Sequence, residues 1–350
     1  MMHHGGDIYR NQVHMDYSVN LNPLGTPADV LSAVREALGR ADAYPDLRQE
    51  KVREELAATV GGSAESVICG NGASELLMGV ARTVMPKKAL LFDPCFTGYT
   101  HVLDAVGCEV FHHALQEENG FCLTMQDLDA LRPGIDMVIL SDPVNPTGQA
   151  LEDGLLDELL MKAKGLGIAV VLDESFLLMS DKAEKGRDNS IELVSRYNGL
   201  WIIRSMTKVL AMPGIRMGYA VSGGENIEAL RKQLPEWNLS VTAEAAMRAG
   251  IRALSDNAYM DRLLRLLREE RGYLVASLRE LGFTVYESRT AFLLFRGPKE
   301  LYGALLKQGI LIRDCSDISG LGEGYYRIAV RGHEENVALI RALGGCKDEA

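Results

Sequence analysis

The chain has 350 residues, 47% hydrophobic and 24% charged, enough to bury a large core and to form a big domain with a smaller one beside it. Its formal net charge of -11 excludes a general binder of nucleic acid or of an anionic membrane, because phosphate-backbone affinity rests on clustered Lys and Arg. Small molecules remain as partners, anionic ones included, since a few arginines inside a pocket reverse the local potential.

Composition places the chain among ordinary soluble globular proteins. The cysteines, Cys69, Cys95, Cys108, Cys122, Cys315 and Cys346, form no C-x-x-C pair and no zinc spacing, which implies a reducing compartment. The opening MMHHGGDIYRN has no apolar stretch of signal-peptide length, and no run of about eighteen apolar residues occurs, so the expected location is the cytoplasm. His3-His4 and His112-His113 lack a supporting carboxylate or cysteine array, and no metal site is expected.

In chain order, DYSVNLNPLG reads as an ordered arm. Thr26-Pro27-Ala28-Asp29 then opens the helix VLSAVREALG, with proline at the first helical position and Gly39 as the stop. From residue 67 to 222 the short apolar runs SVICG, KALLFDP, DMVILSDP, GIAVVLDES, LWIIRSM and GYAVSG alternate with helical patterns such as LEDGLLDELLMKAKGLG. That rhythm predicts an α/β domain on a mostly parallel sheet, whose ligands gather at the carboxyl ends of the strands. After residue 238 come long amphipathic helices, then FTVYES, AFLLFRG, ILIRDCS and YYRIAVRG as strands, and a closing helix from Glu334. The expected division is an N-terminal arm with part of a small domain over 1–40, a large domain over 41–238, and a small α+β domain over 239–350. GLGEG at 320–324 reads as a turn, because no strand-then-helix unit surrounds it.

The chemistry concentrates in Arg204-Ser205-Met206-Thr207-Lys208 and the following PGIRMGY, directly after the strand LWII. This segment resembles the lysine signature of class I and II aminotransferases, S-x-[ST]-K with Arg216 eight residues on. The resemblance implies pyridoxal phosphate as cofactor, fold type I, and a mostly parallel sheet of the seven-stranded type. Lys208 would be the amine that condenses with the cofactor aldehyde and becomes a general base once a substrate amine displaces it. Ser205, Thr207 and Arg216 would hold the cofactor, Ser205 and the guanidinium fork reaching its phosphate. Asp173 in VVLDESF, thirty-five residues before Lys208, matches the carboxylate that pairs with the ring nitrogen. Asn145 in NPTG resembles the donor to the phenolic oxygen, and Phe176 stands where the aminotransferase pattern usually has a tyrosine.

In CGNGASELLMGVA a glycine turn feeds a helix, and the resemblance assigns Ala73 and Ser74 to the cofactor phosphate. Phe96, with Tyr99 second, would stack on the ring, and Tyr44 would cross to the partner's cofactor in a homodimer. The chain ends are similar to the threonine-phosphate decarboxylases of cobalamin biosynthesis and to the related histidinol-phosphate aminotransferases. That likeness assigns His4, Gly5, Asn20, Asn145, Arg313 and Arg327 to a phosphorylated amino acid and groups Arg331 with them. Surface ion pairs are the alternative for Arg313 and Arg331. Decarboxylation is the favoured reaction, with transamination against 2-oxoglutarate and glutamate as the alternative.

Overall fold

A computed structural model describes residues 5–183 and 190–348. The arm carries a short strand, β1 (Met15–Asp16). There follow β2 (Val67–Gly70), β3 (Lys88–Asp93), β4 (Glu109–Ala114), β5 (Met137–Ser141), β6 (Ala169–Asp173), β7 (Leu200–Ser205) and β8 (Gly218–Val221). These seven form one sheet in the order β2-β8-β7-β6-β5-β3-β4. All neighbours from β7 to β4 run parallel, whereas β8 runs antiparallel to both β2 and β7. The α/β class and the mostly parallel sheet are therefore as the sequence predicts.

The continuous apolar runs have a structural reason. Along β5, β6 and β7 alternate side chains enter two different cores: Val138, Leu140, Val170, Leu172 and Ile202 one, Ile139, Val171, Trp201 and Ile203 the other. The first helices are α1 (Ala28–Ala37), α2 (Glu50–Val60), α3 (Ala73–Val84) and α4 (Gly98–Asp104). Leu76, Leu77 and Val80 of α3 and Val102 and Leu103 of α4 cover the second core. On the opposite face lie Leu155, Leu159 and Ala163 of α5 (Asp153–Leu166). Next come α6 (Ser190–Arg196), α7 (Met206–Val209), which carries Lys208, α8 (Gly224–Arg231), α9 (Val241–Leu254) and α10 (Asn257–Glu280).

Downstream are β9 (Thr284–Val285), β10 (Phe292–Arg296), α11 (Leu301–Lys307), β11 (Ile310–Leu311), β12 (Arg313–Asp314), β13 (Tyr325–Ala329) and α12 (His333–Asp348). A four-stranded antiparallel sheet has the order β12-β13-β10-β9, and β1 pairs in parallel with β11. The arm is thereby fastened to C-terminal elements.

Two local expectations change. Pro27 is not the first helical residue but the residue before α1, and Thr26 donates instead to the Ala211 carbonyl at 3.3 Å. Gly39 does not stop the chain's coiling either, because a 3-10 turn runs through it over Leu38–Arg40. Strand β4 is additional to the predicted runs. Its place at the sheet edge leaves EVFHHA half exposed, without the apolar signal of its neighbours. Among the described residues no helix is long and apolar enough to cross a membrane.

Leu91 on β3 is fully buried, whereas Met125 is 55% exposed. Leu91→Ala is expected to cost about 2–5 kcal/mol and Met125→Ala less than about 0.5 kcal/mol, read from urea midpoints. Equal losses at the two positions would contradict this packing.

Candidate active site

The register of the sheet brings the polar residues together. Ser141 pairs with Asp173 at the ends of β5 and β6, and Asp173 with Ile203, two residues before Ser205. Across β7 and β8, Ser205 pairs with Gly218, which also faces Gly70 of β2. Because β8 runs the other way, its first residue lies at the sheet end where β7 finishes. Arg216, the β2–α3 turn and Ser205 thus meet at one edge.

Gly72 shapes that turn. It has φ 83°, and a Cβ on it would lie 2.3 Å from an Arg216 guanidinium nitrogen. Only glycine lets Arg216 fold over the start of α3, where Ala73 and Ser74 stand. No side chain caps the start of this twelve-residue helix, and its positive end lies beside the same guanidinium, an arrangement suited to a phosphate. The Ser205 and Thr207 hydroxyls bond each other at 2.7 Å.

Asp173 is buried. Tyr99 donates to its Oδ2 at 2.8 Å and the Ser175 backbone N–H to its Oδ1 at 3.0 Å. Burial raises its pKa, against the pull of these donors and of Lys208. A buried carboxylate bonded to neutral donors favours a cationic partner. Burial pushes the Lys208 amine down to about 8, and Arg327 and Arg216 add to the shift, while Asp173 opposes it.

Arg313 and Arg327 are paired residues of β12 and β13, so two guanidinium groups leave neighbouring positions of one sheet. Both are buried, and both line a small cavity of about 50 Å³ with Gly5, Phe96, Thr97, Asn145 and Ile318. Arg313 pairs with Asp317 at 2.6 Å. Arg327 donates to Asn145 Oδ1 and, at 2.9 Å, to the Ser18 carbonyl. Its Nε is buried without a partner, as is Asn20 Oδ1. Burial first, then Arg313, lowers the Arg327 pKa to about 10. Gly5 lies so close to the arm that a Cβ there would be 2.2 Å from the Ser18 carbonyl oxygen.

Several assignments from the sequence need correction. Tyr99 does not offer a ring face to the cavity: it is fully buried and serves as a donor to Asp173, while Phe96 lines the cavity. Arg331 does not join Arg313 and Arg327. It pairs with Glu335 at 2.6 Å, donates to the Asp16 carbonyl at 2.8 Å, and lies over the Tyr17 ring. Phe176 packs edge-on against Phe292, and Tyr44 is 81% exposed beside Trp237. His4 lies outside the described residues. Thr97, Ile318 and Ser175 carry no motif of their own, so their part in the site was not readable; only the position of Ser175 two residues after Asp173 hinted at a turn donor.

Fold and site together define a class. The chain belongs to the aminotransferase class I and II family, whose sequence model matches residues 13–343. Among its relatives is the threonine-phosphate decarboxylase of Salmonella typhimurium, 36% identical over 94% of this chain and 90% of the relative. A solved histidinol-phosphate aminotransferase from Clostridium acetobutylicum superposes with TM-score 0.87 at 28% identity, covering 96% of this chain and 100% of that one. The L-threonine-O-3-phosphate decarboxylase of Porphyromonas gingivalis shares the fold, with TM-score 0.82 at 22% identity over 95% and 99% of the two chains. The family is pyridoxal-phosphate dependent. The residues present fit that group: a buried amine of lowered pKa, a buried carboxylate favouring a cation, and a helix start under Arg216.

Labelling of Lys208 by an amine-reactive reagent in the cofactor-free protein should titrate with a midpoint near 8, followed by peptide mass spectrometry. Arg327→Met should raise that midpoint by deleting a repulsion, and Asp173→Asn should lower it by deleting an attraction. A midpoint left at the ordinary 10.5 would refute the environment described.

Proposed function

We propose that this chain is a pyridoxal-phosphate-dependent decarboxylase of an O-phosphorylated amino acid, with O-phospho-L-threonine as the first candidate and O-phosphoserine as the second. The observation that carries the reading is the paired, buried Arg313 and Arg327 in one cavity, with an Arg327 Nε that no protein group satisfies. Asp317 pairs with Arg313 and nothing satisfies the Arg327 Nε, and a small ligand with two anionic groups would engage both guanidinium groups of this cavity. A carboxylate and a phosphate on one small molecule are such a pair, and the Salmonella typhimurium relative bears the corresponding name.

Bound pyridoxal phosphate would supply an aldehyde for amine exchange and a protonated ring that accepts the electron pair of a broken bond. Lys208 would bond to it, Asp173 would face its ring nitrogen, and Asn145 and Phe96 would contact the ring. Ala73, Ser74, Ser205, Thr207 and Arg216 would hold its phosphate. The chain's own groups then divide the work. Arg327 orients the substrate carboxylate, and Arg313, Asn20 and Gly5, with His4 from outside the described residues, address the substrate phosphate. Lys208, its amine lowered to about 8, delivers to the α-carbon the one proton that replaces the departing carboxyl group. Tyr99 keeps Asp173 fixed. Phe176 brings no hydroxyl to the ring, which leaves Asn145 as the side-chain donor proposed there.

Transamination of histidinol phosphate is the second reading, and the Clostridium acetobutylicum structure favours it. The same proposal makes the protein a homodimer in which exposed Tyr44 reaches the partner's cofactor phosphate, and divides the chain at residues 40 and 238 into arm, large domain and small domain. Purified protein is to be given O-phospho-L-threonine, O-phosphoserine, and histidinol phosphate with 2-oxoglutarate, and carbon dioxide and glutamate measured separately. Carbon dioxide from O-phospho-L-threonine is expected, falling at least about 100-fold in Arg327→Met. Glutamate without carbon dioxide would transfer the conclusion to the second reading.

A further inference from the structure

The carboxylate of Asp93, at the end of β3, is buried and takes no part in the site as described. Three donors converge on it from three parts of the chain. His112 Nδ1 on β4 lies 2.7 Å from Oδ2, the Ser319 hydroxyl donates to the same oxygen, and the Cys95 thiol lies 3.4 Å from Oδ1. The backbone follows the side chains. At Gly320, φ is +82°, and a Cβ would lie 3.1 Å from Asp93 Cβ and 3.3 Å from Pro94 N, so the loop rests directly on the end of β3.

The position of this contact gives it a consequence. Three and four residues after Asp93 stand Phe96 and Thr97, which line the cavity. One residue before Ser319 stands Ile318, which lines the same cavity with Arg313, and Asp317 pairs with Arg313. Asp93 and Ser319 therefore join the main sheet to the loop after β12 between two segments that line the cavity.

We propose that Ser319 and Asp93 form a latch that positions Arg313 for the phosphate of the substrate. Neither residue touches the ligand; both are positioning residues, acting through Ile318 and Asp317. The inference rests on the reading of the substrate as a phosphorylated amino acid. Ser319 is solvent-exposed, so its replacement leaves the core intact.

The test uses the holoenzyme. Ser319→Ala is expected to speed hydrogen exchange of the amides of 315–321 while α3 and α10 stay unchanged. It should weaken O-phospho-L-threonine binding about tenfold, the size of a lost hydrogen bond to a charged group. The affinity for L-threonine, which lacks the phosphate, should move less than about twofold, and Ser319→Thr should restore wild-type behaviour. Unchanged exchange in the loop overturns the latch. So does equal weakening for both ligands, or unaltered O-phospho-L-threonine binding. If the wild type ignores O-phospho-L-threonine, the functional reading fails separately, and inorganic phosphate becomes the probe. Equal phosphate affinity in wild type and Ser319→Ala then overturns the latch, and no phosphate binding by either protein overturns both ideas.

Discussion

Ser141, Asp173 and Ile203 stand side by side because β5, β6 and β7 are parallel and in register, and the cofactor-facing part of the proposed site hangs from that alignment. Parallel strands buried on both faces offer their carboxyl ends as the one edge where polar side chains can emerge without crossing a core. Asp173 leaves the sheet there with its charge poorly solvated, and Tyr99 and Ser175 hold it in place. The reversed strand β8 then returns Arg216 and Gly218 to the same edge, so the anion-binding turn and the reactive lysine become neighbours.

Electrostatics at this edge oppose the character of the whole chain. The protein carries a net charge of -11, yet Arg313 and Arg327 line one cavity, and Arg327 and Arg216 both act on the Lys208 amine. Burial and mutual repulsion lower the pKa values of Lys208 and Arg327, the cost of holding cations together out of water. Asp317 pairs with Arg313, whereas the buried Arg327 Nε has no partner, which is why Arg327 carries more functional meaning than the satisfied Arg331.

The site also depends on contacts that join distant parts of the chain. Arg327 of β13 meets Asn145 after β5 and Ser18 of the arm, and Arg331 fastens the arm through the Asp16 carbonyl. Asp93 and Ser319 make a further tie between the main sheet and the loop after β12. Arm, main sheet and C-terminal sheet each supply part of the cavity wall, so none of them alone forms a binding site.

The sequence by itself determined the fold class and most of the strand runs, because doubly buried strands leave continuous apolar text, and it singled out Lys208, Asp173 and Arg216 by their spacing. It could not determine which arginine faces the ligand. Arg313, Arg327 and Arg331 read alike in the chain, and only the β12–β13 pairing, with Glu335 one helical turn beyond Arg331, separates two cavity residues from a surface pair. In the same way Tyr99 and Phe96 are equivalent aromatics on the page. The turn of α4 directs one into the core toward Asp173, while the other lines the cavity, a choice made by packing between elements that no local spacing encodes.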